Sequence, residues 1–216
     1  NIEGGDSIAV CLCIPGYARS DTAQACTACA PGSFQPVFDD ASTENQCQAC
    51  PDKTTSLEAS DALGDCKCTI GNYPSVAGQN GVACLPCAED TYKNVQGTSE
   101  CQPCPGNSSS GGGSDSIEDC GCDAGYIGPS SGPCVACGIG FYKTTLGALT
   151  CESCGSNTLT NAKASPAQSA CLCIAGYEAH PENGGPDVVG GSCVPSCAVG
   201  TYYSVEVGGC TPCAVN

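Results

Sequence analysis

The chain contains no tryptophan, no methionine and three phenylalanines in 216 residues. Without large apolar side chains a segment of ordinary domain size cannot bury enough surface to offset its conformational entropy. A conventional hydrophobic core is therefore excluded. A single histidine leaves no Ser, His and Asp grouping to argue for, and no pair of carboxylates sits on an identifiable scaffold, so the chain reads as non-enzymatic. Six basic residues against 22 acidic ones give a net charge of -16. That balance excludes nucleic acid and anionic lipid surfaces as partners, since both require basic patches. No apolar run is long enough to span a bilayer, so no membrane insertion by this segment is expected. The chain opens on Asn1 without a signal peptide, which is the expectation for a processed or trimmed product whose anchor, if it has one, lies elsewhere.

Cysteine is what the chain has instead: 24 of 216 residues, with 29 glycines and 15 prolines. Such a density reads as a disulfide scaffold, which persists only in an oxidising compartment. The expected location is extracellular or at the cell surface. The acidic residues are scattered and form no EF-hand loop; Glu118 and Asp119, ahead of Cys120, are read as solvated surface.

The cysteines repeat. Cys-x-Cys pairs stand at Cys11/Cys13, Cys66/Cys68, Cys120/Cys122 and Cys171/Cys173. A first Cys-x-x-Cys follows at Cys26/Cys29, Cys84/Cys87 and Cys134/Cys137, with one extra residue in Cys193/Cys197. A second follows at Cys47/Cys50, Cys101/Cys104, Cys151/Cys154 and Cys210/Cys213. Four copies of six account for every cysteine, so the chain is a tandem array of one unit of roughly 54 residues.

Three copies continue from Cys-x-Cys into Gly-Tyr: Gly16-Tyr17, Gly125-Tyr126 and Gly176-Tyr177. The second copy departs, with Asn72 between Gly71 and Tyr73. The glycine permits positive φ at a tight hairpin, and the tyrosine can lie across the adjacent disulfide. Other aromatics follow the first Cys-x-x-Cys: Phe34, Tyr92, Phe141 with Tyr142, and Tyr202 with Tyr203. Phe38 stands apart from the two per copy, but the repeat is taken to explain all eleven aromatics, leaving none for an aromatic cage or stacking platform. No segment has helical periodicity over ten residues, so short strands joined by glycine turns are expected. The glycines of Ser108-Ser109-Ser110-Gly111-Gly112-Gly113 mark the most flexible place. Asn107-Ser108-Ser109 is the one N-glycosylation sequon, and a glycan on Asn107 is expected. The longest insertion, from Glu178 to Ser192, carries the sole histidine, His180, read as surface decoration.

Paired cysteines also suggest zinc, but the Cys-x-Cys pairs and the scarcity of His and Lys argue against it. A redox Cys-x-x-Cys opens a helix in a βαβ unit, and no such context exists here. No metal or cofactor is expected; structural disulfides remain.

The motif Cys134-x-x-Cys137, Gly140-Phe141-Tyr142-Lys143, Cys151-x-x-Cys154, Cys171-x-Cys173, Gly176-Tyr177 resembles the ephrin-receptor-like cysteine-rich repeat, an EGF-like module with some likeness to tumour necrosis factor receptor repeats. The resemblance implies a small disulfide-rich, mostly β or irregular fold, a linear array of EGF-like modules forming an extended rod. The expected modules are 29–86, 87–136 and 137–196, with partial modules at 1–28 and 197–216. The EGF-like pairing, carried over, implies Cys13 with Cys26, Cys29 with Cys50, Cys47 with Cys66, Cys68 with Cys84, Cys87 with Cys104 and Cys101 with Cys120. It continues as Cys122 with Cys134, Cys137 with Cys154, Cys151 with Cys171, Cys173 with Cys193 and Cys197 with Cys213. A first-to-second, third-to-fourth scheme is the rival. The EGF-like scheme leaves Cys11 and Cys210 for a junction, with a preceding or following segment or with another subunit. The leading expectation is a structural, glycosylated extracellular protein that self-associates head to tail into a filament or fibril. The alternative is the ligand-binding cysteine-rich region of a receptor ectodomain, in which one copy diverges to form a site.

Overall fold

The computed structural model describes residues 13–20, 23–36, 46–147, 150–180, 182, 184–186 and 191–214. Within them, every sheet is a two-stranded antiparallel hairpin, and each strand pairs with the next one along the chain. The described helical turns are three short 3-10 segments, Leu63–Asp65, Ile117–Asp119 and Gln168–Ala170. This is the disulfide-rich, mostly β and irregular tandem array that the cysteine spacing implies.

The chain divides into two compact units. The first is Asn1–Pro103 with Gly111–Ser116; the second is Cys104–Ser110 with Ile117–Asn216. In the first, Tyr17–Ser20 pairs with Ala23–Ala28, Ser33–Phe34 with Gln48–Ala49, and Thr54–Thr55 with Lys67–Cys68. Asn72–Pro74 then pairs with Cys84–Pro86, and Thr91–Tyr92 with Gln102–Pro103. In the second, the same alternation runs from Ser108–Ser109 with Gly121–Cys122 to Thr201–Ser204 with Gly209–Pro212.

A fixed set of backbone hydrogen bonds recurs in the first three copies, because the same turns recur. In the third copy Gly125 N–H donates to Lys143 O, Cys137 N–H to Gly125 O, Lys143 N–H to Ser165 O and Ala164 N–H to Cys137 O. The second copy repeats these as Gly71 to Lys93, Cys87 to Gly71, Lys93 to Ser114 and Gly113 to Cys87. The aromatic after the first Cys-x-x-Cys bridges the serine in each case, as Phe34 with Ser60, Tyr92 with Ser114 and Tyr142 with Ser165. These three rings are buried, at 6, 8 and 8% exposure. Tyr17, Tyr126 and Tyr177 are half-buried.

The core is cysteine. Cys13, Cys29, Cys66, Cys120 and Cys171 are wholly buried, and Cys68, Cys87, Cys122 and Cys137 nearly so. Strand geometry explains the Cys-x-Cys spelling: residues two apart face the same side. Both members turn inward while Lys67 and Leu172 between them stay exposed.

The Ser108–Gly113 stretch, expected to be the most flexible, is instead tied down. Ser108–Ser109 is a strand, Gly113 N–H donates to Cys87 O, and Ser114 Oγ donates to Gly111 O. Its serines serve as turn closers rather than spacers, with Ser108, Ser110 and Ser114 all buried.

Gly125 shows what the repeated glycine is for. Its φ is +83°, and a Cβ there would run into the Ala164 carbonyl oxygen. Gly125→Ala is therefore expected to cost about 1–3 kcal/mol, read by chemical denaturation with the disulfides intact. Gly111, with ordinary φ and open space around it, should tolerate alanine within about 0.5 kcal/mol.

Candidate functional site

The cross-links are the dominant chemistry, and their connectivity differs from the EGF-like expectation. Among the described residues the bonds are Cys13–Cys26, Cys29–Cys47, Cys50–Cys66, Cys68–Cys84, Cys87–Cys101 and Cys104–Cys120. They continue as Cys122–Cys134, Cys137–Cys151, Cys154–Cys171, Cys173–Cys193 and Cys197–Cys210. The order is first to second, third to fourth, fifth to sixth. The expected pairs Cys29 with Cys50, Cys47 with Cys66, Cys87 with Cys104, Cys101 with Cys120, Cys137 with Cys154, Cys151 with Cys171 and Cys197 with Cys213 are thus corrected. The pairs Cys13–Cys26, Cys68–Cys84, Cys122–Cys134 and Cys173–Cys193 are common to both schemes.

The physical reason lies in the strand between the two cysteines of the second pair. Glu152–Ser153 separates Cys151 from Cys154, and residues three apart along an extended strand face opposite sides. Cys151 faces back to Cys137, at a Cα separation of 5.9 Å, while Cys154 faces forward to Cys171 at 5.6 Å. Each copy is thereby stitched through to the Cys-x-Cys that opens the next.

This changes which cysteines stand at the junction. Cys210 is bonded to Cys197, whereas Cys213 is exposed and free. Cys11, the other expected junction residue, lies outside the described residues.

Two lysines were missed by the sequence reading. Lys93 and Lys143 are each 1% exposed, among the most deeply buried side chains described. Lys143 Nζ donates to Cys122 O and Asp123 O, each at 2.9 Å, and to Tyr126 O. Burial lowers its pKa below the usual lysine value, and the charge of Asp123 partly opposes that. Lys93 holds the equivalent place in the second copy, but its ammonium has no hydrogen-bond partner, and burial alone lowers its pKa. Thr69 stands where Asp123 would supply charge. Asn72, at the position of Tyr126, donates its amide to Ile70 O and Thr69 Oγ1. The signal available in sequence was recurrence: Tyr92-Lys93 and Tyr142-Lys143. That recurrence runs against the general rule that lysine is almost never buried. Next to Lys143, the phenol of Tyr142 is pushed up, first by burial, then by its hydrogen bond to Glu152 and that residue's charge.

Asn107 is exposed, in a turn with φ of +61°. The sequon's Ser109 donates Oγ to Asp123 Oδ1 at 2.6 Å. His180 closes its own loop: its Nδ1 accepts from Glu182 N–H at 3.1 Å, and its ring meets Tyr203 edge-on at 5.6 Å. Pro181, Asn183 and residues 187–190 of that insertion are outside the described residues. Among the described residues no group of three or more His, Cys, Asp or Glu could hold a metal ion, and no helix is long and apolar enough to cross a membrane.

Two grooves among the described residues are lined by aromatics, one by Tyr202 and Tyr203 with Glu178, the other by Tyr73. In the first unit Tyr73, Pro74, Ala77, Ala88, Thr91 and Glu100 surround about 360 Å³ beside the Cys87–Cys101 disulfide.

Residues 71–120 and 125–171 each match the family model described as tyrosine-protein kinase ephrin type A/B receptor-like. Residues 71–171 thus carry two ephrin-receptor-like repeats in tandem. It is 32% identical over 123 residues to "Cysteine repeat modular protein A" of Toxoplasma gondii, covering 53% of this chain and 4% of that protein. "Ephrin type-B receptor 4" of Homo sapiens is 32% identical over 74 residues, 34% of this chain and 7% of the receptor. "Cysteine repeat modular protein B" of Toxoplasma gondii is 30% identical over 108 residues, 47% of this chain and 1% of that protein. The chain thus spans less than a tenth of each relative. The density of disulfides in this chain calls for an oxidising environment.

Proposed function

We propose that the chain is a non-catalytic structural array of an extracellular or cell-surface protein, whose ephrin-receptor-like repeats are joined head to tail. The observation that carries this reading is the third-to-fourth bond. Cys50, Cys104 and Cys154 each bond the first cysteine of the next Cys-x-Cys, 16 or 17 residues on. Cys213 occupies the same place in its copy and is free. Tyr202, equivalent to the buried Phe34, Tyr92 and Tyr142, is 54% exposed. Both features fit a further Cys-x-Cys segment, of which Cys11 heads one example. The junction disulfide of this reading therefore uses Cys213, and Cys210 is not part of it. Asn107 carries an N-linked glycan in the same reading, projecting from an exposed turn.

Non-reducing peptide mapping of native material by mass spectrometry is the test. A Cys213–Cys11 peptide between chains supports a fibril built of separate subunits. A bond from Cys213 to a cysteine outside these 216 residues supports joining along one longer polypeptide. A free Cys213 thiol in freshly isolated, alkylated material sinks the head-to-tail reading, and an unmodified Asn107 peptide sinks the glycan.

A further inference from the structure

In the second copy Asn72 stands between Gly71 and Tyr73, and that offset re-aims the tyrosine. Tyr17 stands opposite Ala28, Tyr126 opposite Ala136 and Tyr177 opposite Pro195. In the second copy Asn72 takes this place, opposite Pro86, and Tyr73 moves on to face Leu85. A shift of one position along a strand puts a side chain on the opposite face. Tyr73 thereby leaves the surface shared by the other hairpin tyrosines and lines the groove with Pro74, Ala77, Ala88, Thr91 and Glu100.

The groove is built rather than left over. One wall is the connection between Asn72–Pro74 and Cys84–Pro86, pinned by Ser75 N–H to Ala83 O and by Gly81 N–H to Cys66 O. The other is the Thr91–Tyr92 and Gln102–Pro103 hairpin, pinned by the Cys87–Cys101 bond. Its volume of about 360 Å³ falls within the range of small-ligand pockets. The Tyr73 hydroxyl and the Glu100 carboxylate make no hydrogen bond or ion pair among the described residues, and the lining contains no cation.

Charge decides the occupant. Of the six basic residues, Lys93 and Lys143 are buried and Arg19 is half-buried, so Lys53, Lys67 and Lys163 are the exposed ones against 22 acidic residues. Such a surface draws in cationic segments and repels anionic ones. We propose that the Tyr73–Glu100 groove binds an arginine or lysine side chain of a partner protein, its stem over the Tyr73 ring and its charged head against Glu100. An aromatic face beside a lone carboxylate suits this chemistry: the ring attracts the cation and the carboxylate pairs with it. On this proposal the receptor-like site formed where one copy diverges would lie in the second copy rather than at His180.

The experiment titrates the whole oxidised 216-residue chain with a fluorescently labelled octapeptide of alternating arginine and glycine. Anisotropy reads the affinity, and NMR follows the Tyr73 ring. Saturable binding that shifts the Tyr73 signals is expected. Glu100→Gln and Tyr73→Leu should each weaken it about 2- to 5-fold. Glu58→Gln removes the same charge from an exposed position outside the groove and should leave the affinity within experimental error. Equal losses from Glu100→Gln and Glu58→Gln would mean diffuse charge attraction and overturn the proposal. So would a Tyr73 shift produced by a neutral oligosaccharide and not by the peptide. Glu100 is exposed and its replacement isosteric, so that variant tests the groove even if Tyr73→Leu fails to fold.

Discussion

Replacing Cys104 and Cys120 together by serine is expected to lower stability by about 3 kcal/mol, the chain-entropy value for a loop of this length, and to expose no new thiol. The two are bonded across 16 residues, and no conventional core exists to compensate for the lost cross-link. The control is the pair Cys101→Ser with Cys120→Ser. Under the connectivity found here that variant orphans Cys87 and Cys104, whose proper partners are gone. It should titrate with two extra thiols, or scramble, and lose more stability than the first variant. If instead the second variant folds cleanly and the first gains thiols, the EGF-like pairing holds and the assignment made here is wrong. Thiol titration under denaturing conditions and chemical unfolding read both variants.

Lys143→Met and Lys93→Met should move stability in opposite directions, although the two lysines hold the same place in successive ephrin-receptor-like repeats. Lys143 makes three charge-assisted hydrogen bonds to backbone carbonyls. Their loss, with buried acceptors left behind, should cost about 2–4 kcal/mol. Lys93 is just as buried but has no hydrogen-bond partner. A methionine of similar length removes a desolvated, unpaired charge there and should gain about 1–3 kcal/mol. The pH dependence has a definite sign. The folded-state pKa of Lys93 lies below its ordinary 10.5. As pH rises from the folded value toward 10.5, the folded state has already lost the proton that the unfolded state still binds. Stability contributed by this site therefore rises with pH in that window. With Cys213 alkylated to prevent thiol exchange, subtracting the Lys93→Met profile from the wild-type profile should show an alkaline rise. A flat difference, or stability lost on Lys93→Met, would show that the ammonium has a partner.

These two experiments bear on how a chain with three phenylalanines and no tryptophan or methionine holds together. Its interior is made of disulfides, one aromatic in each of the first three copies, turn-closing hydroxyls and, in two copies, a lysine stem. The stem supplies apolar packing, and the copies differ in whether the ammonium at its tip is satisfied. The one-residue slip that faces Tyr73 toward the groove also places Asn72 at the position of Tyr126, where its amide takes up Ile70 O and Thr69 Oγ1. The second copy thus departs from the pattern both at its groove and in the surroundings of Lys93.

The sequence alone determined the class of molecule. Cysteine spacing defined the copies, composition ruled out an ordinary core, and Cys-x-Cys with a following glycine marked the hairpins, because these follow from strand period and from the freedom of glycine at positive φ. Connectivity was not legible. Spacing allows Cys101 and Cys104 equal reach to Cys87, and only the side each faces across the Gln102–Pro103 strand separates them. The buried lysines were likewise hidden, since Lys93 and Lys143 look like surface residues until the chain folds over their stems. Tyr73 was visible as a break in the pattern, but its meaning depended on register: one residue along a strand reverses the face a side chain serves. Tertiary structure decided the pairing, the lysine burial and the groove because each rests on which side of a two- or three-residue strand an atom lies. That direction is set by packing against partners distant in sequence.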